Sequence, residues 1–302
     1  MKRCFLYDIY NKLDKDKIIN NSINAARWFG ELHNIIKSNQ ATINYVPTIL
    51  KIDFDYYNKN QKIKANYKLY CNDYLAYKIN VDCVGFSINL LSNLHKTIFI
   101  DDKECGIFFY DDLTSLNDLI DFLNNNDMNW LIKSSLIYLG FQMIKPFKYG
   151  NELIASLVID LYLLKNNCTM LPLMSLSKRL FENKKSLEMA IKKDYSEYIN
   201  IILGVIADSC IDNCSLASEI KKMYDIAKNK INDLFAPTKR SGILSYLFSG
   251  VEYSAKSLAE SLNVSTMQAG RYLDILKENN IIIDNGKRRD VLYTFPNIKK
   301  II

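Results

Sequence analysis

The chain has 302 residues, 49% of them hydrophobic, and a formal net charge of +6. This suits a globular chain with one large and one small domain, and the mild charge permits contact with nucleotides or nucleic acid without requiring it. Only two histidines, His33 and His95, and seven scattered cysteines without a CxxC pair argue against His-based triads and zinc centres and for free thiols in a reducing compartment.

Residues 1–65 are polar apart from a helical patch at 21–36, where Ala25, Ala26, Phe29, Leu32, Ile35 and Ile36 share a face. No long apolar segment follows Met1, and no apolar run reaches the roughly 18 residues of a membrane span. The expected location is therefore the cytoplasm, with no membrane partner. Apolar residues recur at helical spacing over 67–94, and His95 closes that segment in a packing or solvent-facing role. The run 97–110 reads differently. Thr97-Ile98-Phe99-Ile100 and Ile107-Phe108-Phe109-Tyr110 flank a polar tip, the pattern of a β-hairpin.

Beyond it the pattern is helical. The segment 113–124 is amphipathic, whereas 130–144 and 152–164 are apolar almost all round, as expected of helices central to a bundle. Lys145-Pro146-Phe147-Lys148-Tyr149-Gly150-Asn151 separates these two, and its Pro and Gly forbid a continuous helix. Two or three amphipathic helices are expected over 173–235, then a linker at 236–242.

A loop that ends on Gly150-Asn151 and opens a buried helix directs backbone N–H groups and a positive dipole end at one point, which suits a phosphate. An ordinary helix corner has the same local features. The run from Leu136 to Leu153 resembles the signature of the Fic family, HPFx[DE]GN[GK]R, with an apolar helix on either side. The segment 171–177 is similar to the stretch that follows the second core helix in that family. The hairpin at 97–110 stands where the family has the flap that clamps a target protein, which makes Ile98, Phe99, Ile100, Ile107 and Phe108 the implied target flap.

In that family the motif histidine deprotonates a target hydroxyl, which attacks the α-phosphate of ATP. The acidic residue holds Mg²⁺, and the Gly-Asn helix start and final arginine hold the phosphates. Pro146, Phe147, Gly150 and Asn151 match this pattern. The histidine position is Lys145, the acidic position Tyr149, the second glycine Glu152 and the arginine Leu153. The loop-shaping residues remain while those that perform the chemistry are replaced. A positioned general base contributes roughly 10²–10⁴ in rate. Lys145 could substitute only if deep burial lowered its pKa by roughly three units. The resemblance implies phosphate binding by Phe147, Gly150, Asn151 and Glu152, with ATP and Mg²⁺ as ligands if the site functions. Glu152 would also plug the anion site with its own carboxylate.

The segment 243–296 resembles the winged helix appended to many Fic proteins. Helices are expected at 243–248, 255–262 and 266–279, with Ser265 as the N-cap of the last, followed by a wing hairpin over 281–295. Ser265, Thr266, Gln268 and Arg271 would meet base edges, and Lys287, Arg288 and Arg289 at the wing tip would meet phosphates. Protein docking and homodimer formation stay open beside DNA binding, because Asp274, Glu278, Asp284 and Asp290 nearly balance the local cations.

The expected fold is mainly α: a helical region at 1–95, a Fic-type bundle with a hairpin flap at 96–235, the linker, and a winged helix at 243–302. Three functional readings follow. The first is a degenerate Fic protein acting by binding, with little or no AMP transfer. The second is a transferase with altered residues, and the third is a transcriptional regulator.

Overall fold

The computed structural model describes residues 4–39, 46–100, 102–109, 114–125, 128–168, 175–249 and 252–296, with backbone only at 46–49, 67, 68, 72, 74 and 75. The chain forms two compact units, 1–33 with 49–213 and 34–48 with 214–302.

The described elements of the first unit come from α1 (Phe5–Lys12), α2 (Lys15–Asn39), α3 (Val46–Asn60), α4 (Tyr67–Cys83), α5 (Ile88–Ile98), α6 (Thr114–Asn124), α7 (Trp130–Ile144), α8 (Asn151–Lys165), α9 (Ser177–Glu182), α10 (Lys184–Ala190) and the first part of α11 (Tyr195–Leu234). Helices α7 and α8 pack on each other at the centre. Every α8 residue from Leu153 to Leu164 is buried, as the all-round apolar sequence predicts. Asn129 starts α7 by accepting hydrogen bonds from the N–H groups of Leu131 (2.9 Å) and Ile132 (3.4 Å). The buried Lys133 of α7 donates to the Asn125 carbonyl and lies 4.9 Å from the Phe122 ring centre and 5.2 Å from that of Tyr162.

Two expectations need correction here. The hairpin over 97–110 does not form, because Thr97 and Ile98 are the last residues of α5. Their β-branched side chains suit a strand, but the apolar face Leu90, Leu91, Leu94 and Ile98 continues at helical spacing and is buried. Packing of that face outweighs local preference. Residues 107–109 instead meet the motif loop, as described below.

The second correction concerns apolar length. By length and composition α11 is apolar enough to cross a membrane: it contains an 18-residue window of mean hydropathy 1.4, 56% of it buried within the protein. That burial is the pattern of a core helix.

The second unit includes the rest of α11, then α12 (Pro237–Leu247), α13 (Ala255–Leu262), α14 (Thr266–Glu278) and the antiparallel strands β1 (Ile283–Asp284) and β2 (Tyr293–Thr294). The segment 236–242, expected as a linker, supplies the first turns of α12, with Pro237 at a position where a helix tolerates its missing N–H. Ser254 and Ser257 form a reciprocal cap on α13, and Asn263 closes that helix in the left-handed region at φ 51. Ser265 caps α14 by accepting from the Gln268 N–H at 3.2 Å. Tyr253 exchanges backbone hydrogen bonds with Tyr293, both 2.9 Å, extending the small sheet by one bridge. Leu258, Leu273, Leu276, Ile282 and Phe295 fill the core of this unit.

Candidate functional site

The loop between α7 and α8 is closed by its own residues. Lys145 ends α7 in the left-handed region (φ 47), its N–H still bonded to the Phe141 carbonyl at 2.9 Å, and Pro146 then prevents the helix from resuming. Asn151, the first residue of α8, grips Phe147 twice. Its Oδ1 accepts from the Phe147 N–H (3.0 Å) and its Nδ2 donates to the Phe147 carbonyl (2.6 Å). Gly150 between them has φ 74, and a Cβ there would lie 2.5 Å from the Phe99 ring. Gly150, as N-cap of α8, offers no side-chain cap, and the acidic residue in the first turn of this 15-residue helix is Glu152.

A second layer supports the loop. The Phe147 ring stacks between His95 (4.2 Å, 23°) and Phe108 (5.0 Å, 25°), and the Phe109 N–H donates to the Pro146 carbonyl at 2.8 Å. His95 is only 1% exposed. Its Nδ1 accepts from the Gly106 N–H at 2.9 Å, so the proton must reside on Nε2, which donates to the Tyr149 carbonyl at 3.2 Å. Burial lowers its pKa to about 4, so the ring is neutral near pH 7. His95 is thus a clip between the 102–109 turn and the motif loop, with both nitrogens committed. Sequence alone gave it a packing or solvent role, and nothing local marked it as a partner of residues 106 and 149.

The implied flap residues separate. Ile98 and Phe99 are buried, Phe99 beneath Gly150, while Ile100 and Ile107 are 58% and 60% exposed and Phe108 packs on Phe147.

The loop faces a cleft of about 640 Å³, large enough for a small organic ligand. Lys145, Lys184 and Lys192 are exposed residues on its lining, and Lys148 also lines it but is paired with Glu104 at 2.7 Å. Lys145, at the histidine position, therefore lacks the deep burial that a lysine base requires. Tyr149, at the acidic position, packs against His95 (5.0 Å) and Phe99 (5.2 Å), and burial followed by the neighbouring Asp102 raises its phenol above the ordinary range. Leu153, at the arginine position, is fully buried in the core.

Glu152, in the first turn of α8, is half-buried and lines the cleft with the buried Tyr57, Tyr138 and Tyr198. Burial raises all three phenols, and the Glu152 charge adds to each shift. The Tyr198 hydroxyl and the Gln142 amide nitrogen, both on residues of this lining, have no hydrogen-bond partner. Below the cleft, the buried Asp53 of α3 accepts from the Ser177 N–H at 2.7 Å. Ser156 of α8 stands close by, outside hydrogen-bonding geometry for the second carboxylate oxygen. Burial raises the Asp53 pKa to about 6.

In the second unit, Thr266, Gln268 and Arg271 are exposed on α14, and the exposed Ser265 uses its hydroxyl as the cap. Gln268 donates to the Tyr272 hydroxyl (2.8 Å), and Arg271 reaches the Met267 sulfur (3.8 Å). Lys287, Arg288 and Arg289 are all exposed in the turn between β1 and β2. The segment 171–177, which the sequence likens to a family segment, lies outside the described residues as far as 174.

No family model matches this sequence, and no curated protein matches it. Among solved structures, the chain is similar to a Fic family protein from Desulfovibrio desulfuricans G20. That likeness has 15% sequence identity and a TM-score of 0.49, and it covers 91% of this chain and 95% of the other.

Proposed function

We propose that the chain is a Fic-like protein that binds a phosphate-bearing ligand at the N-terminus of α8 without transferring AMP. One observation carries this reading. The loop keeps the form that suits a phosphate, with Gly150 at φ 74 and Asn151 clamping both sides of the Phe147 peptide, while its chemistry-bearing positions hold exposed Lys145, packed Tyr149 and core-buried Leu153. The exposed lysines supply cations for the ligand. Mg²⁺-dependent transfer does not fit these residues, since the metal needs hard anionic oxygens and Tyr149 offers an inward-packed phenol.

Calorimetric titration with pyrophosphate, ADP and ATP, each with and without Mg²⁺, tests the reading. Binding is expected for at least one of them, unchanged by Mg²⁺ and weakened roughly tenfold or more in Lys184→Ala and Asn151→Ala. No AMP should be incorporated into the protein or a partner. Labelling abolished by Lys145→Ala would establish the transferase instead, and absence of heat with all three ligands would reject the phosphate site.

A second reading concerns the C-terminal unit, whose helix order and hairpin suit a winged helix docking on duplex DNA. It is favoured by the exposed cluster Lys287, Arg288 and Arg289, which forms no ion pair among the described residues. A salt-dependent mobility shift is expected. The double variant Arg288→Ala/Arg289→Ala should reduce the slope of log affinity against log salt by about 2. No shift at low salt would leave this face to protein docking.

A further inference from the structure

The cleft is divided in charge. Lys145, Lys184 and Lys192 are exposed, whereas Glu152 lies half-buried among residues exposed by 6% (Tyr57), 4% (Tyr138) and 1% (Tyr198). Among the described residues no cation pairs with the Glu152 carboxylate, and no hydrogen bond to it is formed. The α8 dipole offsets part of the cost of that charge, but a half-buried carboxylate remains poorly compensated. A bare phosphate approaching the first turn of α8 would meet this like charge. Tyrosine side chains and a carboxylate lining one cleft form an environment that attracts an organic cation. The Tyr198 hydroxyl, buried in the same wall and without a partner, adds an unused acceptor. Burial, with the Glu152 charge adding to it, keeps all three phenols neutral, so the corner carries the single charge of Glu152.

We propose that the cleft takes a zwitterionic ligand, whose phosphate meets the exposed lysines and whose ammonium group sits at Glu152 among the tyrosines. The inference rests on the phosphate reading above and adds the class of ligand. The occupant is a small phosphate monoester carrying a primary or quaternary amine a few bonds from phosphorus.

The test uses two probes that differ only in the cation, ethyl phosphate and 2-aminoethyl phosphate, titrated into the full chain with detection by NMR chemical-shift change. The aminated probe is expected to bind about tenfold tighter. In Glu152→Gln that preference should vanish and ethyl phosphate should bind more tightly than it does to the wild type, while Glu152→Asp keeps the preference. Equal binding of both probes to the wild type, or a preference that persists in Glu152→Gln, overturns the zwitterion proposal and leaves the phosphate site standing. Failure of both probes together with pyrophosphate, ADP and ATP overturns both.

Discussion

Gly150→Ala should destabilise the first unit by about 3 kcal/mol and abolish ligand binding in the cleft. Two costs combine. A Cβ would lie 2.5 and 2.6 Å from two carbons of the Phe99 ring, and overpacking of that kind costs roughly 1–3 kcal/mol. The backbone also sits at φ 74, which costs a residue with a side chain on the order of 1–2 kcal/mol. Phe99 has little room to withdraw, because Tyr57 (6.0 Å), Tyr149 (5.2 Å) and His95 (4.7 Å) surround its ring. Gly270→Ala in α14 is the control. A Cβ added there would have nothing within 4 Å, so that change should stabilise the helix by roughly 0.5–1 kcal/mol. Urea unfolding of the two variants measures the contrast. Gly150→Ala within 1 kcal/mol of the wild type would show that the ring yields and that the loop is not shaped by this contact.

The second large effect is a pair of opposed titrations. The folded pKa of Asp53 is about 6, above its ordinary 3.8. The native state therefore holds the proton more tightly, and the associated stability is complete below pH 3.8 and lost as pH rises through about 6. The folded pKa of His95 is about 4, below its ordinary 6.5. Its contribution is complete above pH 6.5 and lost as pH falls through about 4. Each amounts to about 3 kcal/mol, and over most of the window from pH 4 to 6 they cancel.

Single variants should separate them. Asp53→Asn, which keeps an acceptor for the Ser177 N–H, should leave stability rising by about 3 kcal/mol from pH 4 to 6.5 relative to the wild-type profile. His95→Gln should leave it falling by a similar amount, and the double variant should run parallel to the wild type. Urea midpoints collected at several pH values provide the difference profiles. Single-variant curves that parallel the wild type at every pH would refute the burial of both ionisable groups.

The elements that formed as expected are those whose determinants lie within about four residues of one another. Pro146 and Gly150 break α7 from α8, and Ser265 caps α14. Propensity, capping and backbone restriction act at that range, so the chain states them openly. The apolar character of α7 and α8 likewise marked them for the core.

The rest required packing. Thr97 and Ile98 carry strand-forming side chains but complete a helix, because burying Ile98 with Leu94 outweighs β preference. His95 meets Tyr149 across 54 residues, and Asp53 meets Ser177 across 124. Neither His95 nor Asp53 carries a local signal that names its distant partner. Glu152 could be read as a carboxylate at a helix start, but only the folded chain places it in the lining of one cleft with Tyr57, Tyr138 and Tyr198. The sequence by itself determined the two apolar helices on either side of 145–150 and the break between them, which are local in covalent terms. Tertiary structure alone decided which buried groups meet and how charge is distributed in the cleft, because burial and electrostatic environment depend on neighbours that the chain brings together only on folding.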